Sequence, residues 1–297
     1  MKINNTYKGM ICIILSAFCF AVMNACVKLS GDLPTFQKAF FRNAIALLIA
    51  SSVLIVEKKS FIPKKSNLPD LILRALFGTI GLVCNFYAVD KLVLADASIL
   101  NKMSPFFAIV FSLIILKEKL VFKQMLIVIG AFIGALFVIK PSFANAELFP
   151  SIIGLIGGMG AGCAYSIVRR LGMKGEDKSY IVFFFSAFST VAILPIFIAN
   201  YQPMTFKQFL ILIGAGIAAA GGQYFITFAY YFAPARDISV YDYSQIIFAT
   251  LLGFILFNQI PDFLSIIGYI IIVLMAVLMF LYQKMKFKKE NKIENLK

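Results

Sequence analysis

The chain has 297 residues, 61% of them hydrophobic and only 14% charged, with a mean hydropathy of +0.90. A soluble domain is about 45–50% apolar and about a quarter charged, so polar surface this sparse excludes a soluble fold and leaves apolar surface to face lipid. The net charge of +14 would suit a nucleic-acid binder, but the basic residues fall in short connecting segments and in the tail Lys284–Lys297, where Lys and Arg set membrane topology. With no His, the commonest neutral-pH proton shuttle and metal ligand is absent.

A helix needs about 20 apolar residues to cross the hydrocarbon core. Ten stretches qualify: 9–29, 35–56, 69–89, 95–116, 121–140, 149–170, 179–199, 207–231, 238–257 and 263–283. The breaks between them are turn or charge signals, among them Gly31-Asp32-Leu33-Pro34, Lys117-Glu118-Lys119, Pro203, Pro234 and Pro261. The first apolar stretch is too long for a signal-peptide core and is followed by many more, so no cleavable leader is expected.

Taken in chain order, span 1 carries Cys12, Cys19 and Cys26 at a spacing of seven, on one helical face. They read as small interior residues of a packed helix, and the same span carries Asn24. Cys84 and Cys163 also lie in apolar stretches, and the five form no CxxC pair, so no zinc or redox site is indicated. Span 2 holds Arg42, span 3 holds Asn85 and Tyr87, and span 4 holds Asn101, Lys102 and Pro105. Span 5 has Gly130 and Gly134. Span 6 has a run of glycines from Gly154 to Gly162, then Tyr165 and Ser166. These small-xxx-small spacings let helices approach closely and read as packing and rocking surfaces. Span 7 contains Pro195, and span 8 contains Gly214, Gly216, Gly221, Gly222, Gln223 and Tyr224. Span 9 has the densest polar run, Tyr241-Asp242-Tyr243-Ser244-Gln245. Pro105 and Pro195 are expected to kink their helices.

With the N-terminus placed in the cytoplasm, 21 of the 28 Lys and Arg residues fall on the cytoplasmic side and 5 outside, leaving Arg42 and Lys102 within spans. In this count Arg74, near the start of span 3, is grouped with the basic cytoplasmic segment that precedes it. Such a bias, repeated loop by loop, supports ten spans with both termini cytoplasmic. A multi-pass protein of the inner, cytoplasmic membrane follows.

The two halves of the sequence resemble each other. Ser16-Ala17-Phe18-Cys19-Phe20-Ala21 echoes Gly160-Ala161-Gly162-Cys163-Ala164-Tyr165 at an offset of 144, as Phe40-Phe41-Arg42 echoes Phe184-Phe185-Ser186. Ala95 to Ser104 aligns with Ala235 to Ser244 at an offset of 140. Because five is odd, the second copy enters the membrane from the opposite side, which is the inverted repeat of many secondary transporters.

This layout resembles the drug/metabolite transporter superfamily, in particular its EamA branch. The resemblance rests on the small-residue stretch of span 1, Phe40-Phe41-Arg42-Asn43, Ala95-Asp96-Ala97-Ser98 through Ser104-Pro105, and Leu116-Lys117-Glu118-Lys119-Leu120 followed by Gly130 and Gly134. It implies an all-α bundle of ten transmembrane helices around a central cavity, in five-helix repeats at 9–140 and 149–283 with a basic tail at 284–297. It also implies transport of small organic solutes. Gln245 stands where the first half has Pro105, and Asn258 stands opposite Glu118.

An ionisable group at a helix centre costs roughly 2.5–3.5 kcal/mol on insertion scales, so such groups face a cavity or pair up. Arg42 and Lys102 are therefore expected to bind an anionic group such as a carboxylate. Asp242, at the position matching Lys102, is expected to bind an ammonium group or couple to protons. The bland alternatives are snorkelling of Arg42 and Lys102 to the headgroups and a structural pair of Asp242 with Arg236. Asn24, Asn85, Asn101, Tyr165, Gln223, Tyr241, Tyr243 and Gln245 could complete the pocket, although helix–helix hydrogen bonding is the commoner fate of such residues. Charges of both signs suit a zwitterion such as an amino acid. The expected partners are a small-molecule solute and membrane lipids, with no nucleic acid and no cofactor or metal; a homodimer is left open. An intramembrane enzyme would want paired Asp-rich motifs or HExxH, whereas only Asp237 and Asp242 approach this, five apart. A channel would normally lack the inverted repeat.

Overall fold

The computed structural model describes residues 5–91, 100–118, 121–139, 148–258 and 262–294. No strand occurs among them. The helices are α1 Asn5–Leu29, α2 Thr35–Val56, α3 Leu68–Lys91, α4 Ser104–Ile115, α5 Phe122–Ile139, α6 Leu148–Met173, α7 Lys178–Ala199, α8 Phe206–Phe232, α9 Ala235–Phe257 and α10 Phe263–Glu294. Eight are long and apolar enough to cross a membrane, and α4 and α5 are shorter apolar helices. Ten crossings and two inverted five-helix repeats account for this order. Lys119, Lys140 and the start of span 4, residues 95–99, lie outside the described residues.

Local sequence sets the helix starts. Asp177 caps α7 by accepting from the Ser179 and Tyr180 amides, and Thr205 with Gln208 forms a capping box on α8. Pro105 lies in the first turn of α4. There a missing N–H costs no hydrogen bond, so the kink expected at this proline is replaced by a helix start.

The packing has a two-fold pattern. α1 packs on α8 as α6 packs on α3, and α4 packs on α6 as α9 packs on α1. α2 meets α7, and α5 meets α10, each pairing equivalent helices of the two halves. Glycines permit the closest crossings: a Cβ on Gly160 would stand 2.8 Å from the Phe77 carbonyl oxygen on α3, and one on Gly134 would stand 3.0 Å from the Gly268 carbonyl on α10. The outer rim of the bundle is apolar, with Leu48, Ile114, Val191 and Ile270 each more than 60% exposed. In water that rim would be a liability, and in a bilayer it is the lipid contact.

The two ends are tied differently. At the end where α1 begins, the near end, charges link the halves. Asp70 meets Lys174 at 2.6 Å and Arg170 at 3.4 Å, Lys59 meets Asp177 at 2.5 Å, and Asn67 donates to Glu176 at 2.8 Å. Glu118 lies 3.8 Å from Arg169, and burial pushes its carboxyl above the usual range against the pull of Arg236 and Arg169. At the far end the ties among the described residues are neutral. Gln37 and Gln202 exchange two hydrogen bonds of 2.9 Å, and Gln208 donates to the Ser30 carbonyl at 3.0 Å.

Candidate functional site at the axis between the repeats

The fourth and ninth crossings are both broken, at matching places. Lys102 and Met103 form a turn, and α4 begins at Ser104. In α9 a 3-10 stretch, Ser239–Tyr243, precedes the regular helix that begins at Ser244. Met103 and Tyr243 have nearly the same backbone angles, φ −73°, ψ −16° and φ −65°, ψ −16°. Ser104 and Ser244 are separated by the same 140 residues that relate spans 4 and 9 in sequence. Irregular backbone at membrane depth is tolerated only where protein buries it or a cavity lies beside it.

At these breaks the two halves meet. The Lys102 ammonium lies 3.3 Å from Asp242 Oδ2 and donates to Gln245 Oε1 at 2.7 Å. It also reaches the Asp242 carbonyl at 3.4 Å, while the Tyr243 hydroxyl returns a bond to the Lys102 carbonyl at 3.2 Å. Lys102 and Asp242 are 6% and 5% exposed. They are equivalent residues of the two repeats, and residues exchanged by a two-fold axis touch only on that axis. An axis relating inverted halves runs in the membrane plane, so this ion pair sits near mid-depth. Lys102 therefore does not snorkel, and Asp242 does not pair with Arg236, whose guanidinium faces Asp237 at 4.0 Å.

A second cationic centre lies on the face of α8. Arg42, 3% exposed, donates from Nε to the Met23 sulfur at 3.2 Å and from Nη1 to Asn43 Oδ1 at 2.7 Å. Snorkelling to the headgroups is excluded for it as well. Arg74, 2% exposed, donates to Gln223 Oε1 at 3.3 Å and lies 3.8 Å from the centroid of the Phe185 ring. Its side chain runs along α3 to the level of Gly78, where a Cβ would stand 2.5 Å from Nη1. That is ten residues, about 15 Å, from the helix's first turn and near the bilayer centre. Tyr165 stacks on Tyr230 at 4.7 Å beside these groups. The Tyr165 hydroxyl is within Coulombic reach of Arg42, Arg74 and Asp242.

Arg74 is thus a correction: the charge count assigns it to the cytoplasmic segment, and the structure places it deep in the bundle. Among the described residues neither Arg42 nor Arg74 has a carboxylate within ion-pair distance. Arg74 Nε, Asn43 Nδ2 and the Tyr230 hydroxyl are buried without a hydrogen-bond partner. No group of three or more His, Cys, Asp and Glu that could hold a metal ion occurs among the described residues.

The sequence matches the EamA-like transporter family twice, at residues 7–140 and 149–281. The chain belongs to the EamA-like transporter family. It is a multi-pass membrane transporter, not an enzyme. It is similar to the pseudopaline exporter CntI of Pseudomonas aeruginosa, 33% identical over 91% of this chain and 94% of that protein. It is also similar to human solute carrier family 35 member G1, 26% identical over 89% of this chain and 76% of that protein. The S-adenosylmethionine uptake transporter of Rickettsia prowazekii is 22% identical over 95% of both. A solved crystal structure covering 93% of this chain and 98% of its own superimposes with a TM-score of 0.75 at 15% identity, a likeness of fold.

Within this EamA-like bundle the residues singled out by sequence separate into groups. Lys102, Asp242, Tyr243 and Gln245 gather at the axis, and Arg42, Tyr165 and Gln223 gather at the arginine centre. Asn101, beside Lys102, keeps partial exposure. Tyr241 is buried in the same 3-10 turn, its hydroxyl within Coulombic reach of Asp237. Asn24 is exposed, and Asn85 lies where α3 crosses α6 at Gly157, so neither joins the groups. Sequence reasoning missed Arg74, Phe185 and Tyr230. The signal for Arg74 was its place six residues into an apolar helix, with Gly78 one turn on to make room.

Proposed function

We propose that this protein is a secondary transporter of a small zwitterionic metabolite, an amino acid or a close relative, working by alternating access across the cytoplasmic membrane. The observation that carries the reading is the Lys102–Asp242 ion pair joining equivalent residues of the two inverted repeats. Such repeats exchange conformations around a midplane site built from broken helices. In this reading the solute's carboxylate binds Arg42 beside Tyr165. Its ammonium competes with Lys102 for Asp242, with Gln245 and Tyr243 holding the freed lysine. Solute binding then loosens the buried ion pair that ties the turn before α4 to α9, which couples occupancy to movement of the halves.

The near end faces the cytoplasm in this reading, supported by the 20 to 5 bias of basic residues that remains with Arg74 inside the bundle. This chain is similar along more than 90% of its length both to a relative named for export and to one named for uptake.

The test compares metabolites inside and outside cells with and without the protein, followed by uptake of the strongest hit into proteoliposomes. Lys102→Met and Asp242→Asn are expected to insert normally and lower the transport rate at least about tenfold, since each leaves one buried charge alone. Full-rate transport by both variants sinks the reading.

A further inference from the structure

We infer that Arg42 and Arg74 form one anion site for a solute with two carboxylates, one on each guanidinium. This rests on the zwitterion reading above and narrows it to amino-acid-like solutes carrying a second carboxylate.

Charge balance is the first support. Lys102 and Asp242 cancel each other at 3.3 Å, whereas Arg42 and Arg74 have only neutral partners among the described residues: a sulfur, two amides and a ring. Two buried guanidiniums within Coulombic reach of one another repel. A bundle that keeps both is stabilised when a ligand brings the missing negative charge.

Spacing is the second support. Met23, which receives Arg42, clusters with Ala215 and Ala219 of α8, and Gln223, which receives Arg74, is one to two turns further along. The two supports are therefore about 6–12 Å apart along one helix. That spacing suits two acceptor groups on one small molecule better than one compact anion.

The unpartnered atoms are the third support. Arg74 Nε, Asn43 Nδ2 and the Tyr230 hydroxyl are buried, lack a partner, and are all hydrogen-bond donors. An ionised carboxylate only accepts, and a guanidinium binds it through two parallel bonds. The stacked Tyr165 and Tyr230 rings and Phe185 line the apolar side. With Asp242 near the Tyr165 and Tyr230 hydroxyls, an ammonium between the two carboxylates would find its counter-charge.

The experiment measures thermal stabilisation of the purified full chain in detergent by isosteric pairs: L-aspartate against L-asparagine, and L-glutamate against L-glutamine, with inorganic phosphate alongside. At least one dicarboxylate is expected to half-saturate at a concentration tenfold or more below its amide partner. Arg74→Gln should erase that preference while leaving the ligand-free melting temperature equal or higher, because it removes an unanswered buried charge. Arg74→Lys should retain a weaker preference, since it keeps the charge and loses the fork. The inference is overturned if neither dicarboxylate surpasses its amide partner or if phosphate stabilises best. It is also overturned if Arg74→Gln melts lower when empty yet keeps the preference. Loss of transport in Lys102→Met and Asp242→Asn with no dicarboxylate preference would leave the transport reading standing and remove this one. The opposite pair of results would do the reverse.

Discussion

Lys102 and the Arg42–Arg74 centre are buried cations of the same bundle, yet their surroundings differ. Lys102 is answered by the carboxylate of its own repeat equivalent, and by an amide and a carbonyl besides. Arg42 and Arg74 are answered by a thioether, amides and a ring face. A buried charge held by a partner of opposite sign within the protein ties parts together. A buried charge held only by neutral groups is costly to keep, and that cost fits a site completed by a ligand. The same chemistry thus marks a tie in one place and, as we propose, a binding site in the other.

The largest effect should come from emptying the arginine centre. A hydrogen bond to a charged group is worth about 1.5–3 kcal/mol. The Arg42→Gln/Arg74→Gln double variant should therefore lose about a hundredfold or more in solute affinity, measured by equilibrium binding of the transported solute, with membrane insertion intact. The next effect concerns the tie. Lys102→Met or Asp242→Asn alone leaves one charge buried and should cost about 3–5 kcal/mol, whereas the double variant should recover most of it. Melting of the four proteins in detergent gives the coupling between the two residues; strictly additive losses would show that the pair does not act as a pair. A smaller effect is expected where backbones touch. Gly160→Ala puts a Cβ 2.8 Å from the Phe77 carbonyl and should cost about 1–3 kcal/mol, the range for overpacking, read as a lowered melting temperature. The smallest belongs to the near end. Asp70→Asn removes ion pairs to the half-exposed Lys174 and Arg170. It should cost under about 1 kcal/mol and shrink further in high salt, unlike the neutral Gln37–Gln202 tie at the far end.

Much of this fold was legible because the membrane simplifies the code. Ten apolar stretches, alternating basic loops and a repeat offset already specify an inverted ten-helix bundle. The pairing of Lys102 with Asp242 was half visible: the offset of 140 made them equivalents, but only the fold shows that equivalents meet on the axis. Pro105 looked like an interior kink because a helix break at Lys102 leaves no mark in hydropathy, and the break turns it into a first-turn residue. On the sequence count Arg74 belongs to the basic cytoplasmic segment before span 3. Its long side chain extends toward the bilayer centre along the space left by Gly78, a direction that linear distance from the helix end does not reveal. Asn24 departs for the opposite reason: a polar residue in an apolar helix is expected to face inward, and it faces out beside the inward Met23.

The most direct measurement is solute counterflow in proteoliposomes, using the metabolite that differs most between cells with and without the protein. The wild-type chain should show saturable uptake accelerated by the same solute inside, and the Arg42→Gln/Arg74→Gln protein should show none. Uptake linear in concentration, or equal uptake by the two proteins, would contradict a carrier that holds its solute at these arginines.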